Sequence, residues 1–146
     1  MINAHLQNTN LEEANLKGAN LQGAFMFGAN LKQANLEGAI LKDANLQDTN
    51  LEGANLKGND LSGLSLFGVQ LSGANLEGAK LVGTKLKRAV LIGAKLAGAD
   101  CSEAHLQRAT IRNADLTGAI FTKANLSNAD LTDAKIKGAK FDDAIK

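Results

Sequence analysis

Residues Ala14–Gly23 read ANLKGANLQG, two tandem copies of Ala-Asn-Leu-X-Gly. The same five-residue unit runs in unbroken phase through the chain. With the central Leu as the reference, every fifth residue from Leu6 to Phe141 is apolar. Of these 28 positions 22 are Leu, and the rest are Met26, Cys101, Ile111, Phe121, Ile136 and Phe141. Two residues before each centre, 23 of 29 positions are Ala; the exceptions are Thr9, Thr49, Asn59, Leu64, Val69 and Thr84. All fifteen glycines lie two residues after a centre. A repeat this regular decides the fold before local propensity does.

A period of five fits neither common element. Five steps on an α-helix turn about 500°, which smears the leucines around the axis. On a flat strand an odd period sends successive leucines to opposite faces. A chain that turns a corner every five residues keeps both the small and the large apolar residue of each unit inside a coil. Glycine suits such corners, where a tight turn requires positive φ. The absence of proline suits a backbone whose N–H groups are committed to rungs.

The charges set the size of the coil. Rungs of stacked strands lie about 4.8 Å apart, so stacked charges should alternate in sign. At a spacing of twenty residues the positions after the centre give Lys17–Glu37–Lys57–Glu77 and Glu12–Lys32–Glu52, every neighbour opposite. At fifteen they give Lys17–Lys32, Glu37–Glu52 and Lys42–Lys57, all like pairs. Twenty residues and four sides per coil follow. The same spacing stacks Asn15–Asn35–Asn55–Asn75 and Asn10–Asn30–Asn50, which predicts amide ladders.

The units at Ala14–Gly18, Ala19–Gly23, Ala34–Gly38, Ala54–Gly58 and Ala74–Gly78 resemble those of the pentapeptide-repeat family. The resemblance covers essentially the whole chain. It implies an all-β fold, a right-handed quadrilateral parallel β-helix, here one domain over 1–146 with about seven coils and no capping helix. It also implies a family abundant in cyanobacteria, most of whose members have no assigned activity. The best-understood members bind or protect DNA gyrase and are proposed to imitate duplex DNA.

Composition narrows function mainly by exclusion. The net charge is +1, and no strong overall field draws nucleic acid or an anionic membrane. Residues 1–73 hold four bases and seven acids, and 74–146 hold twelve and eight, a mild polarity along the rod. No secretory leader or apolar run of membrane length is seen, so a cytoplasmic location is expected. The lone Cys101 occupies a central inward site in a column with Leu81 and Phe121 and reads as core. His5 and His105 lie five coils apart, roughly 24 Å, too far to share a metal. Glu12, Glu13, Asp115 and Asp130 fall on outer faces or corners with no cleft to perturb them. No catalytic residue, cofactor site or metal site is predicted, and the glycines form no nucleotide-binding signature. Regular outer threonines, which ice binding would need, are missing.

Four departures from the pattern are the candidate sites. Phe25 and Phe27 flank inward Met26 and should point outward. Phe67 lies two coils on, followed by Lys85, Lys87 and Arg88, so this face is a candidate protein-interaction patch. Lys80, Lys85, Lys87, Arg88 and Lys95 form a basic girdle, read as solvated, with no nucleic acid expected. Asn59, Leu64 and Val69 depart consecutively at the small inward site, which predicts a widened coil and requires partners for the Asn59 amide. Leu131, Ile136 and Phe141 fall in the last coil, where a homo-oligomer could form by end-to-end stacking.

The leading functional reading is a non-enzymatic scaffold for an unknown protein partner. A DNA-mimic directed at gyrase is the alternative. Duplex DNA carries about one charge per 1.7 Å of axis, whereas here 15 acids are offset by 16 bases. An enzyme is the third reading and would need a cleft that an uninterrupted coil does not provide.

Overall fold

The computed structural model describes all of residues 1–146. Each unit contributes one short extended side and one corner. The extended side forms a single parallel bridge at the residue before the centre. Every bridge joins residues twenty apart, from His5–Phe25 to Asn125–Ile145. This is the coil period read from the charges, and three predicted ion pairs close across it: Lys17–Glu37 (3.2 Å), Lys32–Glu52 (3.4 Å) and Lys57–Glu77 (3.2 Å).

At each corner the small inward residue donates its N–H to the preceding central carbonyl, as Ala19 N does to Leu16 O (3.0 Å). The second corner residue always has positive φ and the first never does, the pattern of a type II turn. Glycine fills fifteen of these corners at φ 63–70°. The others hold Asn, Asp, Glu, Gln, Arg or Lys at φ 52–62°, so the repeat imposes left-handed backbone even where glycine is missing.

Asparagine before the centre has a role that its spacing did not disclose. Its side-chain oxygen accepts the N–H two residues on, as in Lys17 N to Asn15 Oδ1 (3.2 Å) and Glu37 N to Asn35 Oδ1 (3.1 Å). This Asx geometry holds the corner. The predicted amide ladders form at only two steps, Asn30 Nδ2 to Asn10 Oδ1 (3.1 Å) and Asn55 Nδ2 to Asn35 Oδ1 (3.4 Å). The oxygens are engaged within their own corners, which leaves the amide nitrogens poorly aimed at the rung below.

One continuous apolar core fills the coil, from Leu21 to Leu126. Cys101 is fully buried in the column predicted for it. Burial, with a smaller contribution from Asp100, pushes its thiol pKa far up, so it stays protonated and inert. Three threonines or asparagines are buried in this core, and all are bonded. Thr84 Oγ1 donates to Leu61 O (2.9 Å), and Thr49 Oγ1 donates to Leu46 O and Met26 O. Asn59 is the third. No helix of the structure is long and apolar enough to cross a membrane.

Candidate interaction surfaces

Two places break the regularity of the rod. The first is a seam. In a regular rung each unit makes three ladder bonds to its neighbour, such as Asn35 N to Ala14 O (2.9 Å), Leu16 N to Asn35 O (2.8 Å) and Gly18 N to Glu37 O (2.9 Å). Between Gly38–Leu46 and Lys57–Ser65 this set is missing from two successive units. The bridges Ile40–Asp60 and Asn45–Ser65 are missing with it. The seam closes again on both sides, at Leu36 N to Asn55 O (2.9 Å) and Asp48 N to Phe67 O (2.9 Å).

The cause is the pair of oversized inward residues. Asn59 stands above Ala39, and Leu64 stands above Ala44. Neither fits a rung height set for alanine, so the rung lifts from the one below. Ala39 and Ala44 become 7% and 4% exposed, where Ala34 and Ala54 in neighbouring rungs are at 0%. Asn59 repairs part of the loss. Its Nδ2 donates to Leu36 O (3.0 Å) and Ala39 O (3.3 Å), and its Oδ1 accepts Gly38 N (3.2 Å). The buried amide thus has the partners it requires. Val69 differs from the expectation: it is buried, and Gln70 N still donates to Thr49 O (3.0 Å) beneath it. One added branch is absorbed where a leucine is not. Shallow cavities of about 510 and 410 Å³ lie along the seam; Lys42, Ser62 and Leu64 line both.

The second place is the face that carries His5, Phe25, Phe67, Lys85 and Lys87. Phe25, Phe27 and Phe67 do point outward, each about 40% exposed. His5 stacks on Phe25 with centroids 5.0 Å apart. The Arg88 guanidinium lies over the Phe67 ring at 6.0 Å. Between the phenylalanines Gln47 Nε2 donates to Ser65 Oγ (2.7 Å). Phe67 then borders a cavity of about 410 Å³ together with Lys85, Lys87 and His105. Lys85, Lys87 and Arg88 make no ion pair. Lys80 and Lys95 belong to other faces, so the girdle read from sequence is not one surface: the coil turns it through several sides.

The remaining predicted residues fall apart in space. His5 and His105 share a column but not a site. No three His, Cys, Asp or Glu side chains converge as metal ligands. Glu12 accepts Asn30 Nδ2 (3.2 Å). Hydrogen bonds from Thr117 and Thr132 hold Asp115 and Asp130 below the usual carboxylate range, helped by Lys135 and Arg112 respectively. These are corner caps, chemically quiet. In the last coil Leu131 and Phe141 are half-buried and Ile136 is exposed; with Leu126 they line a cavity of about 370 Å³. Phe141 is stacked on Phe121 at 5.1 Å.

The sequence profile described as Pentapeptide repeats matches in eight copies, over residues 1–33, 27–58, 70–108, 84–122 and 111–145. The matched segments skip 59–69, the stretch that holds Asn59, Leu64 and Val69. Comparison with curated proteins returned no match. Among solved structures the chain is similar to HetL, a pentapeptide repeat protein involved in heterocyst differentiation regulation from the cyanobacterium Nostoc sp. strain PCC 7120. Identity is 39% and the TM-score 0.94, covering 99% of this chain and 66% of HetL. The chain therefore spans just under two thirds of that relative's length. Trypsin-treated QnrB1, a plasmid-mediated fluoroquinolone resistance protein, matches with a TM-score of 0.70 at 21% identity, over 98% of this chain and 84% of its own. Full-length QnrB1 gives 0.63 at 18%, over 99% and 92%. Those two share the fold alone. Repeat sequence and backbone agree along the whole length: the chain belongs to the pentapeptide-repeat family, and its coil is a right-handed β-helix.

Proposed function

We propose that this chain performs no chemistry of its own and acts as a rigid scaffold for a protein partner. It is a single domain of about seven four-sided coils, roughly 35 Å long at 4.8 Å per rung. The observation that carries this reading is the collection on one face of three exposed phenylalanines and three unpaired cations. Elsewhere Lys17, Lys32, Lys57 and Arg112 are ion-paired, and Asn and Asp side chains before the centres cap the corners. Aromatic and arginine side chains are the groups that most often dominate protein interfaces. The likeness to HetL, itself described as involved in differentiation regulation, favours a regulatory contact over a metabolic one.

The gyrase-directed reading has less support here. A duplex mimic needs an acidic rod, and this one carries 16 bases against 15 acids. A supercoiling assay tests it directly, with inhibition or drug protection as the result that would revive it. The scaffold reading is tested by affinity capture from host-cell extract with the wild-type protein and a Phe25→Ser/Phe27→Ser variant. We expect a defined protein set with wild type and its loss in the variant. An identical set with both would remove this face from consideration.

A further inference from the structure

The units 64–68, 84–88 and 104–108 stack on the phenylalanine face and contain no acid. They contribute Lys85, Lys87, Arg88, Arg108 and His105. Elsewhere this chain meets stacked cations with carboxylates one rung away, as at Lys17–Glu37 and Lys57–Glu77. Here the rung below Lys85 and Lys87 offers Ser65 and Phe67, and the rung above offers His105 and Gln107. Lys42, Lys137 and Lys140 also have no acid beneath them in their columns, but only the 84–88 rung gathers three such cations in one unit. We infer that the patch is completed from outside, by an acidic, extended segment of a partner protein lying along the Lys85–Lys87 rung against Phe67. This deepens the scaffold reading above and rests on it.

The spacing suits that occupant. Lys85 and Lys87 flank inward Leu86 on an extended side, so their stems leave the rung roughly 7 Å apart. Carboxylates at alternate positions of an extended peptide have the same spacing. The cavity of about 410 Å³ that these lysines border is also lined by Phe67, Ser65, Gln47 and His105. It offers an apolar surface for one side chain beside two charge-assisted contacts and several hydrogen-bonding groups. Complementary charge of this kind steers encounter and fixes register.

A polynucleotide fits less well. Single strands bind basic grooves by stacking bases on open aromatic faces. The exposed rings form no such series: Phe27 and Phe67 lie two rungs apart with Gln47 between them, and Phe25 is stacked on His5 at 5.0 Å. The cations Lys85, Lys87, Arg88 and Arg108 occupy only two successive rungs, about 5 Å apart, which is short for a backbone-tracking groove.

The test uses fluorescence anisotropy with two short fluorescein-labelled peptides. One carries Glu at alternate positions around a central Phe; the other replaces each Glu by Gln. Saturable binding of the Glu peptide alone is expected, weakening with salt. Lys85→Glu/Lys87→Glu should weaken it about tenfold or more, and Phe67→Ala should weaken it with less change in salt dependence. All three side chains are exposed, and unchanged thermal unfolding will show that the coil is intact. Equal binding of both peptides, indifference to the charge reversal, or preferential binding of a labelled oligothymidylate at these residues would overturn the inference. The extract capture separates this failure from that of the scaffold reading. Partners lost in Phe25→Ser/Phe27→Ser but kept in Lys85→Glu/Lys87→Glu would leave the scaffold standing and remove the acidic partner.

Discussion

Two neighbouring parts of the rod, the Asn15–Asn35 rungs and the Gly38–Leu46/Lys57–Ser65 seam, share one backbone plan and differ in a single kind of position. In the regular rungs Ala14 and Ala34 fill the small inward site and all three ladder bonds close. In the seam Asn59 and Leu64 fill it and the bonds to the rung below are lost. The bonds to the rung above survive: Lys80 N still donates to Asn59 O (2.9 Å) and Lys85 N to Leu64 O (2.9 Å). The central leucines hardly notice, since Leu41, Leu46 and Leu61 remain buried on both sides of the opening. The rung height is thus limited by the small residue. The large one has the coil's axis to fill; the small one sits against backbone and has no spare volume.

The comparison breaks most sharply if the seam is rebuilt elsewhere. Ala74→Leu places the seam's residue in a closed rung. Overpacking costs about 1–3 kcal/mol, and three ladder bonds lost at Gly53 N, Leu56 N and Asn75 N add about 1 kcal/mol each. We expect a loss of about 4–6 kcal/mol in urea unfolding, with faster hydrogen exchange confined to those amides. Retained protection there would show that leucine size is not what opens a rung. Next comes Asn59→Asp. The amide now donates to Leu36 O and Ala39 O; a carboxylate would face both carbonyls with no proton to offer. A buried, poorly paired charge costs about 3 kcal/mol. Its folded pKa is raised, so the folded state binds the proton more tightly and the loss shrinks as pH falls through that raised value. A pH-independent deficit would contradict this account.

Much of this was legible in the residues. Lys17, Glu37, Lys57 and Glu77 disclosed the twenty-residue coil because opposite charges can only be neighbours on adjacent rungs. Leu64 and Asn59 disclosed the opening because their volumes exceed that of alanine. Two things were not legible. Asn15 and Asn35 looked like ladder residues, since spacing reports which side chains are near but not which backbone donor competes for them. Val69 looked like Leu64, since a departure from alanine says nothing about how much each corner can absorb. The seam's missing bonds to the rung below also required coordinates: pattern alone does not say which side of an oversized residue yields. As for the proposed interaction face, the twenty-residue spacing places Phe25, Phe27, Phe67, Lys85, Lys87 and Arg88 in one stack of units, and the bridges have the same stacking. The stacking of His5 and Arg88 over the rings was beyond that spacing.

Leu64→Ala sharpens the comparison from the other direction. Removing the isobutyl group forfeits about 2–3 kcal/mol of burial. The rung can then close, recovering bonds from Asp43 N, Leu46 N and Ser65 N worth about 1 kcal/mol each. The net change should lie within about 1 kcal/mol of zero, while exchange at those three amides slows. Leu66→Ala, one position over in a central site, has no bond to recover and should cost about 2–5 kcal/mol. Equal losses for the two would mean that the seam does not close when its wedge is removed.

The smallest expected effect concerns the corner carboxylates. Asp60 lies on the seam, and Asp115 and Asp130 lie on closed rungs, yet all three cap their corners alike. Hydrogen bonds from the Ser62 side chain and N–H, with help from Lys80, hold Asp60 below the usual carboxylate range; Thr117 and Thr132 do the same for Asp115 and Asp130. A lowered folded pKa means that the cap's contribution is complete above the ordinary value of about 4. It is lost as pH falls through the lowered one, because the unfolded chain takes up the proton first. The sign is common to all three, but the ladder bonds beneath differ. Ser62 O has lost the Asp43 N–H beneath it, whereas Thr117 O and Thr132 O still accept Gly98 N (2.9 Å) and Asn113 N (3.0 Å). Exchange at the Ser62, Thr117 and Thr132 amides should accelerate on acidification, relative to the intrinsic rate, while Asp43 N is weakly protected at every pH and Gly98 N and Asn113 N are protected. Asp115→Asn keeps the acceptor without the titration and should flatten the Thr117 profile. If Asp43 N is protected as strongly as Gly98 N at neutral pH, the seam is closed in solution.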